Sequence, residues 1–222
     1  MSTDLWPLFE LHVTTPRLLL RPLLDTDFDE LGALLEGGVH PPDVMPFTLP
    51  WTDVKPPELQ RGAMQYHWRQ RAGWVANDWT LDFGVWEDGR LVGQQGIMAK
   101  QFGTLRETMS GSWLGIPHQG RGIGKEMRAA VLHFAFETLG ARRARTEAFA
   151  DNPASLAVTR ALGYSPNGDE YQVRRDEPAH FLRFVLDRED WAARRRADIT
   201  VVGFEPCRAM FGLPDVTSEL RG

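Results

Sequence analysis

Gly120, Gly122 and Gly124 stand at alternate positions between an apolar run that ends at Pro117 and a long amphipathic stretch. Strand, glycine loop, helix is the order that an anion site built from backbone amides requires. Glycine lets the main chain approach phosphate oxygens because no Cβ stands in the way. The first helical turn leaves N–H groups unpaired at the positive end of the helix dipole, so a phosphate docked there is held by main chain. The spacing excludes two common phosphate loops. A Walker A loop needs Gly, four residues, then Gly-Lys-Ser/Thr, whereas Gly124-Lys125 is followed by Glu126 and Gln119 stands five before Gly124. A dinucleotide loop needs G-x-G-x-x-G, whereas these glycines are spaced by two. What remains is Gln119-x-x-Gly122-x-Gly124. Arg121, Lys125, Arg128, Arg142, Arg143 and Arg145 cluster around it, which suits a small polyanion or, alternatively, a solvated helix face.

The elements that must position this loop can be read from periodicity. Residues 17–23 predict a first strand. Asp25 and Asp27 open a helix with Phe28, Leu31, Leu34 and Leu35 on one face, stopped by Gly37-Gly38. Residues 38–57 form a proline-rich, apolar loop (Met45, Phe47, Leu49, Trp51), either lying on the core or walling a pocket. A helix over 57–72 turns Leu59, Met64, Trp68 and His67 inward. Trp79 to Glu87 and Leu91 to Ala99 alternate around Asp88-Gly89, a hairpin signal. Residues 108–116 supply the strand before the glycine loop. Ile123, Met127, Ala130, Val131 and Phe134 make a helical stripe after it, ended by Gly140. A short strand at 144–149, a helix opened by Asp151-Asn152-Pro153, and strands at 169–175 and 179–187 complete the order. This mixture of hairpins and a later strand-helix-strand half predicts an α+β fold with a mixed, mostly antiparallel sheet flanked by helices. Residues 195–222 follow as an extension with a possible strand at 199–204.

Composition bounds the reading. The chain has 222 residues, 42% hydrophobic and 25% charged, ordinary for a globular domain. A net charge of −5 argues against general nucleic-acid affinity. The one cysteine, Cys207, excludes an intramolecular disulfide and fits a reducing cytoplasm. No leader pattern is seen in residues 1–24, and no run reaches membrane-span length. The six histidines show no metal spacing and no Cys/His cluster exists, so no catalytic metal is expected. Eight tryptophans are expected to line a core and a pocket.

The Gln-x-x-Gly-x-Gly loop resembles the pyrophosphate loop of the GCN5-related N-acyltransferases (GNAT). Thr15-Pro16-Arg17 through Arg21-Pro22, Asp151-Asn152-Pro153-Ala154-Ser155 and Leu162-Gly163-Tyr164 are similar to signatures of the RimJ/RimL-like branch, so the resemblance spans about residues 15–190. Gly111-Ser112-Trp113-Leu114-Gly115, Glu126 to Val131 and Met45-Pro46-Phe47 are similar to an actinobacterial subgroup linked to succinyl-CoA. The resemblance implies a GNAT domain over 1–194, with 195–222 packing on it or on a neighbouring subunit in a homodimer. It implies an acyl-CoA-dependent N-acyltransferase of the cytoplasm, using acetyl-CoA or succinyl-CoA. The acceptor would be an amine of a protein N-terminus, a lysine or a small molecule, with no nucleic acid or membrane partner. A CoA-binding sensor without turnover and a partner-binding module are the alternatives.

The resemblance also implies site residues. Trp113, Leu114, Gly115 and Ile116 line the thioester arm. Gln119, Gly120, Arg121, Gly122, Ile123, Gly124 and Lys125 hold the diphosphate, and Asn152 and Ser155 contact the pantetheine. The amine must shed a proton to a base and the carbonyl oxygen needs a donor. Ser155 and Tyr164 are candidates to serve the leaving sulfur. Glu147 leads Asp82, Glu107 and His118 as candidate base, each of which could instead be a surface or paired charge. Asn152 could as well be an N-cap, Ser155 a helix-surface hydroxyl and Tyr164 a core residue. A carboxylated donor would need a cation such as Lys100, Arg106, Arg61 or Arg69.

Overall fold

Alternation writes the central hairpin. Trp79, Leu81, Phe83 and Val85 occupy one face of a strand, and Asp88-Gly89 turns with φ of 51° and 75°. The structure, a computed structural model, describes residues 5–214. Nine strands form one sheet: β1 (His12–Thr14), β2 (Leu18–Pro22), β3 (Asp78–Glu87), β4 (Arg90–Lys100), β5 (Glu107–Leu114), β6 (Arg143–Phe149), β7 (Ser165–Arg174), β8 (Glu177–Asp187) and β9 (Thr200–Val202). Their order is β7-β8-β6-β5-β4-β3-β2-β1-β9. β5 and β6 run parallel, and the other neighbours run antiparallel. This is the mixed, mostly antiparallel sheet flanked by helices that the sequence predicts.

The helices are α1 (Phe28–Glu36), α2 (Glu58–Ala72), α3 (Phe102–Leu105), α4 (Ile123–His133), α5 (Pro153–Ala161) and α6 (Arg188–Ala192). α1 and α2 bury Phe28, Leu31, Leu35 and Leu59 against Leu23, Trp86 and Leu91. α4 buries Ile123, Met127, Ala130 and Val131 with Leu81, Phe83 and Val85. The predicted stripes of α1 and α4 are thus the ones that pack. In α2 the expectation fails at Trp68, which is 43% exposed and donates from Nε1 to Asp25 Oδ1. Leu59 and His67 take the buried positions.

The expected extension divides at the edge of the described residues. Its part to 214 packs on the same domain, while 215–222 lie outside them. β9 pairs with β1, Val13 opposite Val201. Phe211 is fully buried among Trp79, at 4.9 Å between ring centroids, Phe134 at 5.8 Å and Trp74 at 5.4 Å.

Candidate active site

β5 ends at Leu114, a short 3-10 turn covers Ile116–His118, and α4 starts at Ile123. Between them Gly120 and Gly122 adopt φ of 71° and 80°, the left-handed region where other residues are strained. Gly122 is the N-cap of α4 and carries no side-chain cap. The backbone N–H groups of residues 120 to 125 have no acceptor among the described residues. A Cβ at Gly120 would meet nothing within 4 Å, and Gly120, Arg121 and Gly122 are exposed. Consecutive unpaired N–H groups at a helix start form a nest for an oxyanion.

The rest of the loop motif turns out to be bracing. Gln119 was expected to touch the ligand, but its side chain donates to Val39 O at 2.8 Å and Leu114 O at 2.9 Å, and its N–H to Ile116 O. Arg121 reaches Glu87 at 2.8 Å, so its backbone, not its guanidinium, faces the nest. Lys125 is exposed. Thr15 Oγ1 donates to Glu126 at 2.6 Å and Arg17 Nη2 pairs with Glu126 at 2.7 Å. Burial alone would raise the Glu126 pKa, but these contacts outweigh it and hold the carboxylate below its ordinary range. The Thr15-Pro16-Arg17 motif therefore clamps the first turn of α4.

Beside the loop the sheet splits. β4 and β5 stay paired to Gly93–Leu114. Pairing of β5 with β6 stops at Ser110–Thr146, while β6 continues along β8 to Phe149. Ser112, Trp113 and Leu114 thus present a main-chain edge to a wedge. On the α4 side Arg128 spans that wedge. Nη1 donates to Thr146 Oγ1 at 2.8 Å, Nη2 to Ser112 Oγ at 3.0 Å and Nε to Gln95 Oε1 at 3.3 Å. Arg128 is 4% exposed and has no carboxylate partner among the described residues. Sequence reading placed it in a basic cluster suited to a small polyanion or, alternatively, a solvated face. Its place four after Gly124 and three before Val131 was the signal that it points inward.

The phenol of Tyr164 is buried beside Ser110 and Arg128; burial raises its pKa, and the arginine opposes the rise. Asn152 caps α5 through Ser155 N–H at 3.1 Å, as the alternative reading held, leaving its side-chain N–H without an acceptor among the described residues. The Ser155 hydroxyl likewise makes no hydrogen bond among them. Gly124 lies 3.7 Å from Val158 on α5, measured from an added Cβ, so α5 packs beside the loop.

The opposite face carries the other candidates. Thr146 points at Arg128, so Glu147 faces away from α4. Burial raises its pKa; Arg145 and Arg183 oppose this and Glu170 adds to it. Glu107 is paired with Arg145 at 3.0 Å, and His118 stands 3.5 Å from Arg121. Lys100 and Arg61 pair with Asp78 and Glu58 at the surface. Trp113 donates to Gln94 at 3.0 Å, and Gln94 bonds His67 at 2.7 Å. Trp51 and Phe47 of the proline-rich loop stack toward Trp113, with centroids 5.9 and 5.2 Å apart along the chain of rings. Arg175, in the β7–β8 turn, grips Asp53 at 2.6 and 2.9 Å. The loop is thereby a wall of this face. Among the described residues no three His, Cys, Asp or Glu side chains converge as a metal site.

A family model described as an acetyltransferase (GNAT) domain matches residues 17–165. A candidate ribosomal-protein-serine acetyltransferase from Vibrio cholerae is 25% identical, covering 79% of this chain and 97% of that one, with a TM-score of 0.62. Mycobacterium smegmatis RimJ in complex with CoA-disulfide is 21% identical, covering 85% and 97%, with a TM-score of 0.70. A RimL acetyltransferase of ribosomal L7/L12 in complex with coenzyme A is 17% identical, covering 79% and 97%, at 0.61. The last two likenesses speak to the fold alone.

Proposed function

This chain belongs to the acetyltransferase (GNAT) domain family, and we propose that it acetylates a primary amine, drawing on acetyl-CoA in a ternary complex. The observation that carries the reading is the run of unpaired N–H groups at residues 120 to 125, set beside a wedge in the sheet. Those amides hold the diphosphate. The free edge of Ser112, Trp113 and Leu114 orients the arm, with Asn152 and Ser155 on its far side. Acetyl-CoA supplies an activated thioester when bound. Tyr164 is the buried proton donor for a departing sulfur, and Arg128 beside it favours negative charge there. The incoming ammonium must lose a proton; Glu147 and Asp82 each offer a carboxylate on the face that Trp113 shares. Positioning is the larger part of the catalysis. A protein amine is the favoured acceptor, supported by the ribosomal-protein relative. The cytoplasm is where these substrates meet.

Thermal-shift titration tests the binding step, since a ligand of the native state raises stability by mass action. Acetyl-CoA and free CoA should raise the midpoint, and succinyl-CoA at equal concentration should give no larger shift. Gly122→Trp should abolish the effect; normal CoA binding by that variant would refute the phosphate site. Thiol release with peptide amines then separates an enzyme from a CoA sensor.

A further inference from the structure

One row of the sheet is bare of side chains. Asp82 of β3 stands opposite Gly96 of β4, and Gly96 opposite Gly111 of β5. All three face the α2 side, since Gln94 and Trp113, one step along the same face, bond each other. The next step the other way is the Met98–Met109 pair. The result is a strip one residue wide that lacks side chains at Gly96 and Gly111, with Gln94 and Trp113 on one side and the two methionines on the other; we read it as a channel. At Gly111 an added Cβ would meet nothing within 4 Å, and the residue is exposed although it sits on a central strand. At Gly96 an added Cβ would lie 2.7 Å from Asp82 Oδ1. The carboxylate therefore lies over Gly96 and closes the channel. Its Oδ2 is sealed from solvent and makes no hydrogen bond among the described residues, although the Tyr66 hydroxyl acts on the carboxylate; a buried acceptor left in this way calls for an explanation such as a catalytic role. The open end, at β5, is the lip of the wedge.

We propose that this channel is the acceptor slot: it takes an unbranched primary ammonium, and Asp82 rather than Glu147 receives its proton. The inference rests on the acyl-transfer reading. An amine over Gly111 lies about 5 Å, one strand spacing, from a carboxylate over Gly96. At that separation the first ammonium proton passes to Asp82 through one bridging water. The second leaves nitrogen as the C–N bond forms, and sulfur takes one as the C–S bond breaks, so one proton per turnover reaches solvent. Glu147 draws the cation toward the lip. Burial pushes the Asp82 pKa up to about 6, with the Tyr66 hydroxyl opposing. The other titratable groups that α2 brings to this carboxylate are His67, held neutral by burial with its pKa pushed down to about 4, and Arg71, paired with Asp25.

The test uses the full chain saturated with CoA and three probes: n-butylamine, Nα-acetyl-lysine amide and tert-butylamine. Saturation-transfer NMR reads binding, and thiol release from acetyl-CoA reads turnover. The two unbranched probes should bind and the branched one should not. Gly111→Val should weaken the unbranched probes at least tenfold while the Kd for CoA stays within twofold. Asp82→Asn should lose at least 100-fold in kcat and the limb of the pH profile near 6, whereas Glu147→Gln should keep that limb and raise KM. Equal binding to wild type and Gly111→Val, no probe binding to wild type, or an unchanged profile in Asp82→Asn would each overturn the slot. Failure of CoA to bind wild type would instead overturn the function on which it rests.

Discussion

A buried carboxylate such as Asp82 is a thermodynamic liability that a stability measurement can read. Its pKa is raised from 3.8 to about 6 by burial, so between those values the folded protein holds a proton that the unfolded chain has released. Stability is unaffected below pH 4, falls as pH rises toward 6, and stays lower above. A shift of about two units corresponds to a cost on the order of 3 kcal/mol. Asp82→Asn should therefore melt higher than wild type at pH 8 and match it near pH 4; an equal difference at both pH values would remove the carboxylate as the cause. Gly122 carries the opposite sign. A β-branched residue at φ 80° costs about 1–2 kcal/mol, so Gly122→Val should lower the melting temperature and also block CoA. The backbone requirement at Gly122 was legible from residue spacing alone. The Asp82 channel was not, because Asp82, Gly96 and Gly111 are neighbours only through strand register.

Among the elements, α4 carries the most. Its N-terminus makes the nest and its second turn sends Arg128 into the wedge. Removing this guanidinium leaves Thr146, Ser112 and Gln95 with lost partners, each worth about 1–3 kcal/mol when buried and unsatisfied. Arg128→Met should thus destabilise the protein and weaken CoA binding together, as the lips of the wedge lose their link. Arg128→Lys, which keeps charge but not the fork, should recover stability only in part, as denaturant midpoints will show. Helices and long strands were legible because their apolar residues follow periods of 3.6 and 2. The stripe of α4 identified its buried face, and Asp88-Gly89 identified the hairpin. Trp68 was misplaced because α2 is weakly amphipathic, and the slot near Leu59 and His67 was already filled. β1 is three residues, too short for a periodic signal, and is held between β2 and β9, whereas β9, equally short, falls within the strand expected at 199–204.

At the scale of the molecule, the last described residues seal the first layer. Cys207 and Phe211 are fully buried in the cluster that holds Phe134 of the α4 segment, so removing this tail opens the core behind the nest. Phe211→Ala should cost about 3–5 kcal/mol, measured by urea unfolding. Burial pushes the Cys207 thiol up to about 12, which leaves almost no thiolate at neutral pH. A thiol reagent should label Cys207 only after denaturation. Labelling of the folded protein at the rate of a free thiol would show that this end detaches.

The sequence by itself determined what depends on near neighbours: where glycine permits a left-handed turn, which strand precedes it, which helix follows, and hence where backbone amides are left for an anion. Those features rest on backbone sterics and periodicity, which act over a few residues. Tertiary structure alone decided which strands part beside Ser112, that Arg128 and not solvent fills the gap, and that two glycines and an aspartate line up across three strands. Such facts depend on register between segments far apart in the chain, where packing rather than local preference selects the outcome.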